Sequence, residues 1–317
     1  MSGSVLVTGG AGFIGSTLAR RLLAEGYDVV VLDNVVSGAV ANVPDGCELV
    51  VGDVREASVL AALPKRDYVA CCHLAAQSSG EVSFEDPRLD VTTNVIGTLN
   101  VLDWVLERGV GKVVFASSMG IYGDVPPDVP VAEDTLPHPK SFYSVSKLAV
   151  EHLLKLYETE YGLRFTAPRL FNVYGVGQDL DNLRQGMLSI YLRYLLDGER
   201  VLVKGSLDRY RDYVYVDDVV DVFVHAITAP ELDGEIFNCG TGVQTHVSTL
   251  IEKLCACFGI DDYRSVVDQA PGTQGDQFGN FASVDRMKEL GVPVPATTLD
   301  EGLRRMVDWA KQVTLKR

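Results

Sequence analysis

Val5-Leu6-Val7-Thr8-Gly9-Gly10-Ala11-Gly12-Phe13-Ile14-Gly15-Ser16-Thr17-Leu18-Ala19-Arg20-Arg21-Leu22 is the stretch on which the fold turns. It begins as an apolar run, passes through glycines, and continues with Ile14, Leu18 and Leu22 on one helical face. That pattern reads as a buried strand, a glycine turn and a helix. Gly9 permits the tight turn, Gly12 lets backbone approach a pyrophosphate, and Gly15 lets the helix pack on the strand. A pyrophosphate there would sit at the helix N-terminus, where unpaired N–H groups and the helix dipole favour anions. The glycines alone are a weak signal, and the next strand strengthens it. Val29-Val30-Val31-Leu32 ends in Asp33, an acid placed to accept from adenosine ribose hydroxyls and to repel a 2′-phosphate. NAD is therefore favoured over NADP.

The same rhythm continues. Leu49 to Val54 reads as a third strand, with Asp53 placed to reach an adenine edge. A short helix, Val59 to Leu63, leads to a fourth strand from Tyr68 to Ala76, whose small terminal residues suit a close cofactor. His73, inside that apolar run, reads as a satisfied core histidine. Asn94 to Arg108 is a long helix with Val95, Leu99, Leu102 and Leu106 as its apolar stripe. A fifth strand, Lys112 to Ala116, delivers Ser117 and Ser118 to the carboxyl edge of the sheet, where ligands bind in open parallel sheets. After a further helix comes the strand Arg164 to Leu170.

This alternation predicts an α/β Rossmann fold, a doubly wound parallel sheet. Beyond it the elements shorten: a helix at Met187–Leu196, a strand pair of Val201–Val203 with Tyr213–Tyr215, a helix at Asp217–Ala229 and a strand at Glu235–Asn238. Helices at Ser248–Phe258 and Leu299–Lys311 complete the chain. The expectation is an NAD-binding Rossmann domain over 1–172, with 212–240 returning to it, and a smaller interleaved C-terminal substrate lobe built mainly from 173–317.

If the segment from Ser146 onward is helical, Tyr143 and Lys147 lie one turn apart on one face. A phenol beside an ammonium is a candidate general base, provided its pKa comes down. Free tyrosine titrates near ~10 and one unit is about 1.36 kcal/mol, so reaching neutrality needs roughly 4 kcal/mol. A unit charge at ~4 Å is worth about 4 kcal/mol at an effective dielectric of ~20, so one or two cations suffice.

With 317 residues, 47% of them hydrophobic, the chain can bury an ample core. Its net charge of −15 argues against a nucleic-acid footprint or an anionic membrane surface, and means that an anionic substrate needs local clamps. No apolar run reaches the ~18 residues of a membrane span. Met1-Ser2-Gly3-Ser4 leads straight into the first strand, so no signal peptide is expected. Cys47, Cys71, Cys72, Cys239, Cys255 and Cys257 form no paired CxxC motifs and lack accompanying histidines. They read as reduced thiols, most of them in the core, with no metal site and with the cytoplasm as the expected compartment.

Together these residues resemble the extended short-chain dehydrogenase/reductase family, in particular its NAD-dependent sugar-nucleotide epimerases and dehydratases. The resemblance runs nearly end to end. It includes TGGAGFIG at Thr8–Gly15, DN at Asp33-Asn34, GDV at Gly52–Val54, HLAAQ at His73–Gln77 and YSVSK at Tyr143–Lys147. PRLFNVYG at Pro168–Gly175, RDYVYVDD at Arg211–Asp218 and FNCGTG at Phe237–Gly242 extend it. The resemblance implies that Tyr143 takes the proton from a sugar hydroxyl. Lys147 would bind the nicotinamide ribose and help depress the Tyr143 pKa, and Ser118 would hold the same sugar oxygen. It implies cofactor contacts from Gly9, Gly12, Phe13, Ile14 and Gly15, from Asp33, Asn34, Asp53 and Val54, and from Leu74, Ala75 and Ala76. Asn94, Ser117, Tyr143 and Lys147 complete that set.

The dehydratases of the family carry Asp-Glu after the Ser/Thr, its decarboxylases a glutamate there and its 3,5-epimerases a cysteine. This chain has Met119 and Gly120, which leaves hydride and one-proton chemistry at carbon 4 of the sugar. A 4-epimerase is the leading expectation, and a 4-dehydrogenase or 4-ketoreductase with net redox the alternative; a nonenzymatic NAD-binding scaffold would be expected to lose the Tyr/Lys pair. The substrate would be a nucleotide-diphosphate sugar, hexose or heptose, with Arg211 on the diphosphate and Asn172 on the sugar-diphosphate. Gln77, Ser79, Ser118, Tyr143 and Asp276 are expected at the substrate, with the Val201 strand along the base. Many relatives carry a second phosphate-binding arginine where this chain has Thr273-Gln274, so that clamp is either missing or supplied by Arg209 or Arg184. Family members often dimerise through two helices, here Asn94–Arg108 and Tyr143–Glu158, so a homodimer is expected by analogy.

Overall fold

The structure, a computed structural model, describes residues 3–314. Met1, Ser2 and residues 315–317, which fall within the expected 1–172 and 173–317 units, lie outside the described residues. The main sheet runs in the order Glu235–Cys239, Phe165–Leu170, Val113–Phe115, Tyr68–His73, Ser4–Thr8, Asp28–Asp33, Glu48–Val51. All of these pairings are parallel, and Ser117–Ser118 extends the ladder against Phe165–Leu170. The inner strands are continuous aliphatic runs because both faces are covered: Val5, Leu6, Val7, Val29, Val30 and Val31 have no exposed surface. On one face the helices Phe13–Ala24 and Val216–Thr228 enclose a core containing Leu18, Leu22, Val29 and Phe223. On the other, Gly97–Arg108 and Phe142–Tyr161 pack Val101, Val105, Val150 and Leu154 against Leu6, Val30 and Phe165.

A third cluster, with Tyr191, Leu192, Val203, Leu250 and Met306, forms the centre of a smaller lobe. Its helices Met187–Leu196, Val247–Ala256 and Leu299–Thr314 lie where the periodicity put them. The expected pairing of Val201–Val203 with Tyr213–Tyr215 is corrected. Val201–Lys204 pairs in parallel with Val267–Ala270, and Tyr213–Tyr215 pairs in parallel with Asn172–Tyr174. Both partnerships join segments far apart in sequence, which a local pattern does not report. Residues from the lobe's stretch of chain return to the sheet as the strand Glu235–Cys239, beside Phe165–Leu170.

The stripe expected on the Asn94–Arg108 helix is also corrected. A wide π-type turn at Thr92–Ile96 precedes Gly97–Arg108, and the buried face becomes Gly97, Thr98, Val101, Leu102, Trp104 and Val105, with Leu106 outside. The longer turn advances the register of the face. Cys71, Cys72, Cys239 and Cys255 are buried, Cys47 and Cys257 half-buried, and all six are free thiols. No helix among the described residues is long and apolar enough to cross a membrane.

Candidate active site

The strand order reverses between Ser4–Thr8 and Tyr68–His73, and a deep cleft opens at that switch point. The three glycines differ in what constrains them. Gly9 adopts φ +73°, and a Cβ there would stand 2.7 Å from the Ala75 backbone nitrogen. A Cβ on Gly15 would lie 2.2 Å from the Gly9 carbonyl, so this glycine sets how closely helix meets strand. Gly12 is in extended backbone, and its Cβ would meet only the Gly9 carbonyl at 3.3 Å, a contact that a small shift relieves. Its bareness serves the cleft rather than the packing. Gly12 caps the helix Phe13–Ala24 with no side-chain hydrogen bond, and the first-turn N–H groups have no intrahelical partner. A pyrophosphate fits this cradle.

At the far end Asp33 is almost fully buried, its oxygens accepting from the backbone N–H of Ala11 at 2.9 Å and of Val35 at 2.8 Å. Phe13, Ile14, Asn34, Val54, Leu74, Ala75, Ala76 and Ser117 line the same cleft. Two expected cofactor contacts do not. Asp53 turns to Arg55 and Asn34, whose hydrogen bonds hold its carboxyl down at about 2, while Gly52 and Val54 face the cleft. Asn94 is buried and spends its amide on Gln77, Asp90 and Ser146.

The catalytic helix starts earlier than Ser146, at Phe142, with Ser141 as its cap accepting from Ser144 N–H at 3.1 Å. Tyr143 therefore stands in the first turn and Lys147 one turn below it. Ser118 arrives from the sheet edge; its Oγ accepts from Gly120 N–H at 3.1 Å, and it lines the cleft together with Tyr143. Burial pushes the Tyr143 phenol above its ordinary value, the nearby Ser118 hydroxyl draws it down, and the Asp90 charge adds to the rise. Lys147 is buried, donates to the Ala116 carbonyl at 2.8 Å and lies 5.8 Å from the Tyr143 ring centroid. Burial lowers its ammonium to about 8, against the opposing charges of Asp90 and Glu151. The expected depression of the phenol by Lys147 is thus not a property of these residues alone. His73 accounts for both ring nitrogens with Thr8 Oγ1 at 2.7 Å and Thr98 Oγ1 at 2.9 Å, as a core histidine should.

A second, outer cleft continues from Ser118, Tyr143 and Asn172 toward the lobe. Asn172 lines both clefts, and its side-chain oxygen is buried without a hydrogen-bond partner. Arg209 and Arg211 are buried at the outer wall, both ion-paired to Asp276. Arg211 also donates to the carbonyls of Tyr210, Phe278 and Gln277. Two guanidinium groups against one carboxylate leave a positive surplus facing the cleft. The Leu183–Met187 stretch lines it too, but Arg184 is exposed and bound to Glu85 and Glu81, a surface pairing. Ser79 lines this cleft while capping the helix Gly80–Glu85. Gln77 faces away, its amide tied to Ser79 and Asp90. The Val201 side chain is buried in the lobe core, and strand alternation turns Leu202 and Lys204 of the same strand to the cleft.

Several lining residues escaped the sequence reading. Ser37 and Gln178 reach the inner cleft from loops, Asn42 from the short helical turn Val40–Asn42 and Thr93 from the π-type turn, while Tyr191 and Tyr194 reach the outer one from the helix Met187–Leu196. The two tyrosines were visible as a second aromatic face on that helix. The loop residues carry no local signal.

A family model described as "NAD dependent epimerase/dehydratase family" matches residues 5–240. The UDP-glucose 4-epimerase of Mycolicibacterium smegmatis is 37% identical over 309 residues, covering 96% of this chain and 97% of that protein. Among solved structures, the UDP-glucose 4-epimerase of Thermotoga maritima with UDP-glucose superposes with TM-score 0.92 at 35% identity, covering 98% of this chain and 99% of that one. The Thermus thermophilus UDP-glucose 4-epimerase complex with NAD gives TM-score 0.90 at 37% identity, covering 97% of this chain and 99% of that one.

Proposed function

This chain belongs to the NAD-dependent epimerase/dehydratase family, and we propose that within it the protein is a nucleotide-sugar 4-epimerase. It is an NAD-dependent enzyme of the isomerase kind. Its substrate in this reading is an NDP-hexose or NDP-heptose, with UDP-glucose the first to try given the relatives' names. The observation that carries the reading is the meeting of Ser118, Tyr143 and Lys147 in the inner cleft beside Met119 and Gly120, whose side chains have no proton to exchange. A Cβ on Gly120 would lie 2.8 Å from Ser144 Oγ and 3.3 Å from Ser118 Oγ, so a side chain there would have to displace the two hydroxyls.

Bound NAD would supply the hydride acceptor and donor for carbon 4. Gly9, Gly12, Gly15 and Asp33 would hold it, with Lys147 at its ribose. The protein's own part is proton and charge control. Tyr143 Oη removes the proton from the 4-hydroxyl and gives it back, Ser118 Oγ steadies the same oxygen, and the Lys147 ammonium favours the phenolate. The surplus charge of Arg209 and Arg211 anchors the diphosphate, with Asp276 as their resting partner. Asn172 offers its unpartnered oxygen to a sugar or ribose hydroxyl. We further propose a homodimer, supported by Val145, Leu156 and Tyr161 standing exposed on the catalytic helix; light scattering checks it.

The test is to incubate purified protein with a panel of nucleotide sugars and read the products by NMR and mass spectrometry. The expected product has unchanged mass, inverted carbon 4 and no deuterium from heavy water. A keto-sugar two mass units lighter, or accumulating NADH, would replace this reading with net redox.

A further inference from the structure

Lys147 is a charge that needs a counter-charge. It is 3% exposed, donates to one carbonyl, and lies 4.6 Å from the Phe115 ring centroid. No carboxylate is within 4.0 Å of its nitrogen among the described residues. A buried ammonium left so is costly, and the groups around it decide whether it stays charged.

Glu151, one turn along the same helix, is already neutralised. Arg169 Nε donates to Oε1 at 3.0 Å and Nη2 to Oε2 at 2.8 Å, and Ser117 Oγ donates to Oε1 as well. Tyr143, on the same helix, is a neutral phenol at rest. His73, on the neighbouring strand, is held between two threonines, and burial keeps it neutral down to about 3. Asp90 is different. It has no exposed surface; its Oδ2 receives Gln77 Nε2 at 2.8 Å and Asn94 Nδ2 at 3.3 Å, and the neutral Ser146 hydroxyl also favours the carboxylate. Its Oδ1 is buried without a hydrogen-bond partner. The Asn94 amide also donates to Ser146 Oγ at 3.0 Å, joining the Asp90 segment to the catalytic helix at the residue before Lys147.

We infer that Asp90 is the counter-charge of Lys147, a positioning residue that keeps the ammonium of the catalytic pair charged from behind the cleft. Charge counting supports it: Lys147 and Arg169 balance Asp90 and Glu151, and without Asp90 the buried group carries a net positive charge. Burial raises the Asp90 carboxyl, and the hydrogen bonds from Gln77 and Asn94 work against that rise in favour of the carboxylate; they also turn both side chains away from the ligand cleft. The inference rests on the catalytic role given to Lys147 above.

The experiment is a pH titration of the Lys147 Cε signal in lysine-labelled protein, assigned by its loss in Lys147→Arg. In Asp90→Asn, with the fold checked by circular dichroism, the midpoint should fall by at least half a pH unit. An unchanged midpoint overturns the inference. If Asp90→Asn does not fold, the Asp90 Cγ signal of the wild-type protein decides: it should sit at the ionised position at pH 7, and a protonated Asp90 there overturns the inference. The alkaline limb of kcat should move to lower pH in Asp90→Asn with KM unchanged, which a merely structural role would not produce. The titrations need no turnover, so their failure leaves the 4-epimerase reading intact, and inactivity on every nucleotide sugar leaves the titration result intact.

Discussion

At Tyr143 one oxygen separates an acid–base group from a core aromatic. Its ring packs in the first helical turn, and it lines the cleft together with Ser118. Tyr143→Phe keeps the ring and loses the proton carrier. Turnover should fall by about 10²–10⁴-fold, the usual worth of such a group, while NAD stays bound; near-wild-type rates would end the mechanism. His73 makes an opposite case. Its folded-state value is lowered to about 3 by burial, against ~6.5 in an unfolded chain. Between those values the unfolded chain binds a proton that the native one refuses, so this group removes stability as pH falls through that window. At full effect the loss is about 1.36 kcal/mol per unit. Urea denaturation at pH 7 and pH 5 should show the loss, and the His73 ring signals should not titrate above pH 4. A titration near 6 would contradict the burial.

The helix Phe13–Ala24 and its glycine turn show how far a sequence motif reaches. Gly15→Ala forces a methyl against the Gly9 carbonyl and should lower the melting temperature by several degrees, in line with about 1–3 kcal/mol for overpacking. Gly12→Ala should leave the melting temperature nearly unchanged yet abolish NAD binding, measured by calorimetry, because its space belongs to the ligand. Equal effects of the two on stability would refute that distinction. The motif was legible because strand, turn and helix are contiguous, as was the delivery of Ser118, Tyr143 and Lys147 to one sheet edge. Asp53, Gln77 and Asn94 were not legible in their detail. Each is diverted by a hydrogen-bond partner that spacing does not announce: Arg55 and Asn34 for Asp53, Asp90 for the other two. The Val201–Lys204 strand was hidden for the same reason at larger scale, since its partner is Val267–Ala270.

Taken whole, the molecule sets a net charge of −15 around a small positive surplus at Arg209 and Arg211. An anionic nucleotide sugar approaches against the field and is captured locally. Raising ionic strength from ~0.01 to ~0.1 M shortens the screening length from ~30 to ~10 Å, so kcat/KM should rise over that range. A steady fall would show that the surplus steers from afar. Arg211→Met removes charged hydrogen bonds worth about 1.5–3 kcal/mol, so KM should rise by about 10–100-fold with kcat little changed. Substrate titrations check both.

The edge position of Glu235–Cys239 also bears on how the chain comes off the ribosome. When only the first 172 residues have emerged, Phe165–Leu170 has its outer backbone groups open, and its partner lies more than sixty residues downstream. An open parallel edge is a template for other chains. The sheet is therefore finished only after most of the lobe's first half has been made, and a fragment ending at residue 172 should be sticky rather than a free-standing dinucleotide binder.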